Sequence, residues 1–314
     1  MNILVTGACG YIGNVLVPKL LNAGHSVIAV DIMWFGNDLQ AHSKLKVIQE
    51  DIRNIAEIPL EGVHVIIHLS SVANDPAGDL DPKLTWEISA LATMQLIDRA
   101  ARFGIKHFIY ASSGSVYGLK DEAQVTEDLT LLPLSEYNKT KMVAERVVLS
   151  YSNKMAVQIV RPATVCGISP RMRFDVSVNM LTMQALTRGE ITVLGGDQTR
   201  PNIHIDDITD LYLFLLNRPD VTGIYNAGFE NLSIRRIAEM ACEKASAKIT
   251  VLPSNDPRSY RVNSDKLLAT GFQPRKTVEN AIDEICKAYR EGRLKDEERF
   301  HTLPWMQKTV FKRA

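Results

Sequence analysis

Cysteine is scarce in this chain. Its four thiols, Cys9, Cys166, Cys242 and Cys286, form no C-x-x-C pair and no metal-ligand spacing. Four such residues in 314 make neither a disulfide framework nor a metal cluster, so the expectation is reduced thiols in a cytoplasmic protein with no bound metal. An excess of one charge is missing too. Lysine plus arginine and aspartate plus glutamate each number 36, so no global field draws the chain to nucleic acid or to an anionic membrane. Any anionic ligand must be met by charge gathered locally. No apolar run approaches the length of a membrane span, and no basic stretch precedes the apolar opening MNILVTG, so neither anchor nor targeting signal is read. What is present, 46% hydrophobic and 23% charged residues, is globular material long enough for one large core or two smaller ones.

Asn2 to Thr6 is a short apolar, β-branched run ended by Gly7, which predicts a buried strand entering a tight turn. Gly7-Ala-Cys-Gly10-Tyr-Ile-Gly13 follows, then a helical pattern with Ile12, Val15, Leu16, Leu20 and Leu21 apolar. Strand, glycine turn and helix start form the context in which a dinucleotide pyrophosphate rests on backbone amides at the positive end of a helix. Gly7 permits the turn, Gly10 lets the backbone approach the phosphates, and Gly13 allows helix to pack on strand. Pro18 falls inside this helix and is expected to cost it a hydrogen bond. The second strand, Ser26 to Val30, closes on Asp31. A carboxylate there accepts both hydroxyls of an adenine ribose and repels a 2′-phosphate. No lysine or arginine follows until Lys44, which favours NAD over NADP; a solvated turn aspartate is the competing reading.

Leu45 to Gln49 reads as a third strand leading into Glu50-Asp51-Ile52, and the run VHVIIHL, Val63 to Leu69, suits a central parallel strand. Strands alternating with helical stretches imply right-handed crossovers and a doubly wound α/β sheet, with Ser70, Ser71 and Val72 at its ligand-binding edge. Helices are predicted over Pro82 to Arg102 and Glu136 to Tyr151. Met142, Val143, Val147 and Val148 cover more than one face of the latter, which fits either a dimer seam or intrachain core. The strand His107 to Ser112 delivers Ser113 to the sheet edge, and another, Met155 to Arg161, is ended by Pro162. Tyr137 and Lys141, spaced i and i+4, share a helix face. A neighbouring ammonium lowers a phenol's pKa, so Tyr137 is the candidate proton acceptor, Lys141 its tuning cation, and Ser113 the group that holds the reacting hydroxyl.

These pieces together resemble the extended short-chain dehydrogenase/reductases of the nucleotide-sugar epimerase and dehydratase group. The residues that carry the likeness are Gly7, Gly10 and Gly13, Asp31, SSGSVYG around Ser113, Tyr137-x-x-x-Lys141, Arg161-Pro162-Ala-Thr-Val, and Arg200 ahead of HIDD. The resemblance implies a Rossmann-type NAD-binding domain over residues 1–165, with 201–226 returning to it. A smaller α/β substrate domain would take residues 166–200 and 227–289, and a tail 290–314. NAD would be held by Gly7, Gly10, Tyr11, Ile12, Gly13, Asp31, Asp51, Ile52, Leu69, Ser70, Ser71, Tyr137, Lys141 and Pro162. The substrate implied is a GDP- or UDP-linked sugar oxidised at carbon 4 by Ser113, Tyr137 and Lys141. The family's dehydratases follow the catalytic serine with Asp-Glu, but Gly114 and Ser115 stand here, so dehydration is disfavoured; Ser115 also replaces the cysteine of the 3,5-epimerising branch. A 4-epimerase is the leading expectation, with a 4-dehydrogenase as the alternative. The stretch CGISPRMRFDVSVN, together with Asp256-Pro-Arg258-Ser-Tyr-Arg261, is similar to a bacterial subgroup that includes GDP-heptose 4-dehydrogenases, which points to capsule or lipopolysaccharide sugars.

Past Pro162, arginines gather at Arg171, Arg173, Arg200, Arg258 and Arg261, as a diphosphate requires in a neutral chain. Arg171, Arg200 and Arg258 are the candidates for the sugar nucleotide, with Asn179 and Ser115 for further contacts; exposed surface arginines are the competing reading. Asp206 and Asp207 are expected to cap a helix over Ile208 to Leu216, and His64, His68, His107 and His204 to be structural. Tyr225-Asn226-Ala-Gly predicts a strand returning to the first sheet. Ile234 to Lys244 and Val278 to Tyr289 predict amphipathic helices. The stretch from Arg290, with Trp305 and Phe311, either packs on the domain or stays loose. Two other readings compete: a nucleotide sensor without chemistry, and oxidation of a small amino or hydroxy acid.

Overall fold

Short β-branched runs and amphipathic stretches alternate through the first half, and each becomes an element of a parallel sheet or of its cover. In the computed structural model, which describes residues 1–253 and 259–311, β1 (Asn2–Thr6) leads through the glycine turn into α1 (Gly13–Asn22). Pro18 is exposed on α1, so its ring disturbs no packing. Strands β2 (Ser26–Asp31), β3 (Leu45–Gln49) and β4 (Val65–His68) follow. The short α2 (Asp75–Gly78) is capped by Asn74, and α3 (Pro82–Trp86) by Asp81. One π-helical turn, Glu87–Leu91, carries α3 into α4 (Ala92–Arg102), so the predicted helix has its expected ends but a widened middle. Then come β5 (His107–Ala111), α5 (Glu136–Leu149) with Ser135 accepting from the Asn138 amide, and β6 (Ala156–Pro162).

The remainder comprises β7 (Thr164–Cys166), α6 (Ser177–Arg188), β8 (Glu190–Leu194), β9 (Thr199–His204), α7 (Ile205–Leu216), β10 (Gly223–Ala227) and β11 (Glu230–Ser233). It closes with α8 (Ile234–Ala245), β12 (Lys248–Leu252), α9 (Asp265–Leu268), α10 (Val278–Arg290) and α11 (Thr302–Thr309). The cap of α7 differs from expectation. His204 is the N-cap, its ring nitrogen accepting from the Asp206 amide, while buried Asp207 accepts from the amides of Arg275 and Lys276.

Seven parallel strands run in the order β10-β6-β5-β4-β1-β2-β3. The chain works outward from β1 to β3 and then returns to the other side of β1. The order therefore reverses between β1 and β4, the switch point where crevices open at the carboxyl edge of a Rossmann-type sheet. Each face is covered by its own core. Leu16, Leu20, Ile208, Leu211 and Leu215 pack on one side, and Leu96, Ile97, Ala144 and Val148 on the other. β4 and β5 are buried along their whole length, as strands covered on both faces must be. A separate core joins α6, α8 and α10 through Leu181, Ile237, Ala241 and Ile282. No described helix is long and apolar enough to cross a membrane.

Candidate functional site

The glycine turn shows why each glycine is there. Gly7 has φ +68°, and a Cβ on it would lie 2.7 Å from the Ser70 amide nitrogen after β4. A Cβ on Gly13 would lie 2.3 Å from the Ala8 carbonyl oxygen, whereas on Gly10 it meets only the Gly7 oxygen at 3.2 Å. Gly13 is thus demanded by the fold, and Gly10 by whatever approaches the turn. Asn14 fastens the turn, its amide donating to the carbonyls of Cys9 at 2.7 Å and Gly10 at 3.1 Å. Asp31, at the end of β2, accepts from the amides of Cys9 at 2.9 Å and Met33 at 2.7 Å. Burial raises its pKa, opposed by those two amides and by Arg171.

A cavity of about 360 Å³ opens at the switch point. It is lined by Gly7, Gly10, Tyr11, Ile12, Gly13, Asp31, Asp51, Ile52, Leu69, Ser70, Ser71, Tyr137, Lys141 and Pro162, so the structure gathers every residue expected to hold the cofactor. Ser113, Ser115 and Arg171 line it as well. Its donor set suits a dinucleotide: an open glycine turn at a helix start, a carboxylate at the end of β2, and a buried arginine whose Nε has no hydrogen-bond partner.

Ser113 follows β5 with extended backbone and accepts from the Ser115 amide at 3.2 Å. Its hydroxyl lies 2.7 Å from the Ser115 hydroxyl, which in turn donates to Asn138. Burial dominates at the Tyr137 phenol and pushes its pKa up to about 12, with Ser113 and Arg173 acting to lower it and Asp75 to raise it. The Lys141 ammonium lies 5.9 Å from the Tyr137 ring centroid. It donates to the Ala111 carbonyl at 2.7 Å, and burial pulls its pKa down to about 7 against the pull of Glu145. Arg173 also acts on the phenol, lowering its pKa. Beneath these residues Glu145 accepts from Ser112 at 2.5 Å and from both arms of Arg161 at 2.9 and 2.7 Å. Arg161 continues to the Tyr117 hydroxyl, and Tyr117 to Asn226, each at 2.7 Å, tying the catalytic loop to β6 and β10.

The residues expected to bind the sugar nucleotide scatter. Asn179 is fully buried and off the cavity: it accepts from the Gly167 amide at 3.0 Å and donates to the Tyr11 hydroxyl at 3.0 Å and the Arg173 carbonyl at 3.1 Å. Its hydrogen-bonding groups are all engaged inside the protein, which corrects the expectation of a ligand contact. The Arg171 guanidinium lies 4.0 Å from the Phe35 ring centroid, in the neighbourhood of Asp31 and Tyr11. Arg200 sits on β9, where it donates to the Thr199 carbonyl, and is not among the lining residues; Tyr260, whose amide donates to the same carbonyl, is. Arg258 lies outside the described residues.

Sequence reasoning missed others. Arg173 lines the cavity and is paired with Asp175 through Nε at 3.2 Å and Nη2 at 2.6 Å. Asn74, held at φ +88°, donates to Asp175 and accepts from the Ala77 amide. Two arginines separated by one residue take different partners, Arg171 the Phe35 ring and Thr302 and Arg173 the Asp175 carboxylate, and no pattern in the chain says which goes where. His204, Asp206 and Glu284 come together in space although their spacing gave no such hint. There the His204 ring accepts from the Asp206 amide, leaving its other nitrogen to donate to Glu284 at 3.2 Å, and Lys276 already pairs with Glu284 at 2.9 Å.

Residues 3–228 match the model of the NAD dependent epimerase/dehydratase family. The uncharacterized UDP-glucose epimerase YtcB of Bacillus subtilis (strain 168) is 31% identical over 273 residues, covering 80% of this chain and 84% of that protein. The UDP-glucose 4-epimerase of Mycolicibacterium smegmatis is 30% identical over 229 residues, 68% of this chain and 72% of its own. Among solved structures, UDP-glucuronic acid 4-epimerase from Bacillus cereus in complex with UDP-glucuronic acid and NAD is 28% identical. It superposes with a TM-score of 0.81 over 93% of this chain and 99% of its own.

Proposed function

This chain belongs to the NAD-dependent epimerase/dehydratase family, and from that premise we propose that it is a nucleotide-sugar 4-epimerase that uses NAD and a UDP-linked sugar. The observation that carries the reading is that Ser113 and Tyr137 line one cavity together with the glycine turn and Asp31. Of the two bases expected, the relatives' names favour UDP over GDP.

The amides of the Gly7 to Gly13 turn would hold the pyrophosphate of NAD, Asp31 the adenine ribose, Asp51 and Ile52 the adenine, and Leu69 to Ser71 the inner half. When bound, NAD supplies the acceptor of a hydride from carbon 4 and later its donor. Everything else falls to the chain's own groups. Ser113 holds the carbon-4 hydroxyl by a hydrogen bond, and the Tyr137 phenol oxygen moves its proton, taking it on oxidation and returning it on reduction. Lys141, on the same helix face, and Arg173 supply the positive charge that a phenolate requires. Between the two half-reactions the 4-keto sugar must turn over in its pocket. No acid or base for expelling water follows Ser113, because Gly114 and Ser115 occupy those positions.

The sugar diphosphate is assigned to the Tyr260 side of the cavity, with Arg200 on the neighbouring strand. The stretch Cys166 to Asn179 is the ground for assigning the product to capsule or lipopolysaccharide assembly, in the cytoplasm. A homodimer through α4 and α5 is supported by Leu91 and Met94, 44% and 41% exposed beside those helices. A monomer in sedimentation equilibrium at micromolar concentration would exclude it.

The test is incubation of the purified protein with UDP-glucose, UDP-galactose, UDP-glucuronic acid and GDP-linked sugars, followed at 340 nm and by stereochemical analysis of the sugar. Inversion at carbon 4 with no net absorbance supports the epimerase. Accumulating NADH means a 4-dehydrogenase instead, and binding without conversion means a sensor.

A further inference from the structure

Arg171 is a buried guanidinium, 3% exposed, with no ion pair among the described residues. Its Nη1 donates to the Met172 carbonyl and its Nη2 to the Thr302 hydroxyl at 3.1 Å, while Nε is buried without a partner. A permanently charged group removed from water with donors to spare is stable only if an anion meets it. Its surroundings narrow the choice of anion. The guanidinium rests on Phe35 and is electrostatically coupled to Arg173 and Asp175 and, less strongly, to Asp31 at the end of β2 and Tyr11 in the glycine turn. On the reading above, the adenine ribose meets Asp31 and the pyrophosphate meets that turn. Burial, reinforced by Arg173, draws the Arg171 pKa down to about 9 against the pull of Asp175 and Asp31.

Arg171 is held from outside by the segment around α11, whose Phe300 and Met306 also pack into the two cores. Thr302, the first residue of α11, accepts from Arg171 and donates to Asp175 at 3.1 Å. Arg299 grips Asp38 with two arms at 2.7 and 3.0 Å and reaches the Phe35 carbonyl at 3.1 Å. The Trp305 indole donates to the Trp34 carbonyl at 2.7 Å. Both grips flank Phe35, whose ring carries Arg171. Thr302 and Met306 themselves line the cavity.

We propose that Arg171 is a ligand of the dinucleotide pyrophosphate rather than of the sugar nucleotide, and that residues 297–309 form a clasp that fixes Arg171 and the loop after β2 around the cofactor. The inference rests on the NAD reading and adds a residue and a segment to it. A forked guanidinium matches two phosphate oxygens, and Thr302 fixes its plane.

The test measures binding, not turnover. ADP and adenosine are titrated into the cofactor-free full-length chain, and NAD release is timed after dilution. Arg171→Gln is expected to weaken ADP about ten-fold or more while changing adenosine less than about three-fold, because only ADP carries the pyrophosphate. Thr302→Val and Arg299→Ala are expected to speed NAD release several-fold with the circular dichroism spectrum unchanged. Equal loss of ADP and adenosine in Arg171→Gln, or unchanged ADP affinity, overturns the ligand assignment. If Arg171→Gln does not fold, Arg171→Lys replaces it, and unaltered ADP binding there overturns the assignment equally. NAD release at the wild-type rate in both other variants overturns the clasp. A wild-type chain that binds neither ADP nor NAD would overturn the NAD reading itself, a result distinct from all of these.

Discussion

The Lys141 ammonium donates to the Ala111 carbonyl oxygen at 2.7 Å, while the ring centroid of Tyr137, its partner one helical turn back, lies 5.9 Å away. The lysine is therefore anchored to the end of β5 and acts on the phenol through the field rather than by contact. Ser113 shares the cavity wall with the phenol.

Removing the phenol separates chemistry from binding. Tyr137→Phe should lower turnover by about 10²–10⁴-fold, the range for loss of a positioned acid–base group, and leave NAD affinity near wild type. Steady-state rates with equilibrium NAD titration check it, and near-wild-type turnover would refute the role.

Lys141 makes stability depend on pH in a defined direction. Its folded pKa is drawn down to about 7 by burial, from 10.5 in the open chain. Between those values the unfolded state holds a proton that the folded state lacks, so stability rises with pH. Buried His68, depressed to about 3, acts the same way but only below about pH 6.5, so the lysine's share is isolated between about pH 7 and 9. The melting temperature of the wild type should climb relative to that of Lys141→Met as pH rises across that window, with the lowest relative stability near pH 7 and the highest near pH 9. Parallel melting curves for the two proteins would sink the assignment.

The glycines of the turn should divide by cause. Gly13→Ala drives a Cβ to within 2.3 Å of the Ala8 oxygen and should destabilise the fold by roughly 1–3 kcal/mol, as overpacking does. Gly10→Ala meets only one atom at 3.2 Å and should fold normally while losing NAD. Urea melts beside NAD titrations distinguish them, and equal stability loss in both would be the wrong outcome.

The buried Glu145 and Arg161 pair, 1% and 2% exposed, should show strong coupling. Glu145→Gln leaves a buried guanidinium uncompensated and should cost roughly 3–5 kcal/mol. The double variant Glu145→Leu with Arg161→Met should recover much of that loss. A denaturant-based double-mutant cycle measures it, and additive losses would show the two acting separately.

How far the chain could be read follows from the range of the forces involved. β1, α1, β2 and β3 are set by runs of side chains whose period matches one element, and the helix spacing of Tyr137 and Lys141 is equally local. The widened turn at Glu87–Leu91 carries no such mark. Asn179 looked available because its partners, Tyr11 and Gly167, are unrelated to it in pattern, and only folding shows them occupying its amide.

By itself, the order of residues determined the parallel sheet, the glycine turn at its edge, and the tyrosine, lysine and serine that share it, because each depends on neighbours within a few turns of chain. Only the tertiary structure decided that Arg171 and Arg173 take different partners on the cavity wall, and that Thr302 and Arg299 return to fasten Arg171 and the loop beside it. Those last contacts join segments more than a hundred residues apart. Their partners are chosen by the shape and charge of surfaces that exist only once both cores have packed.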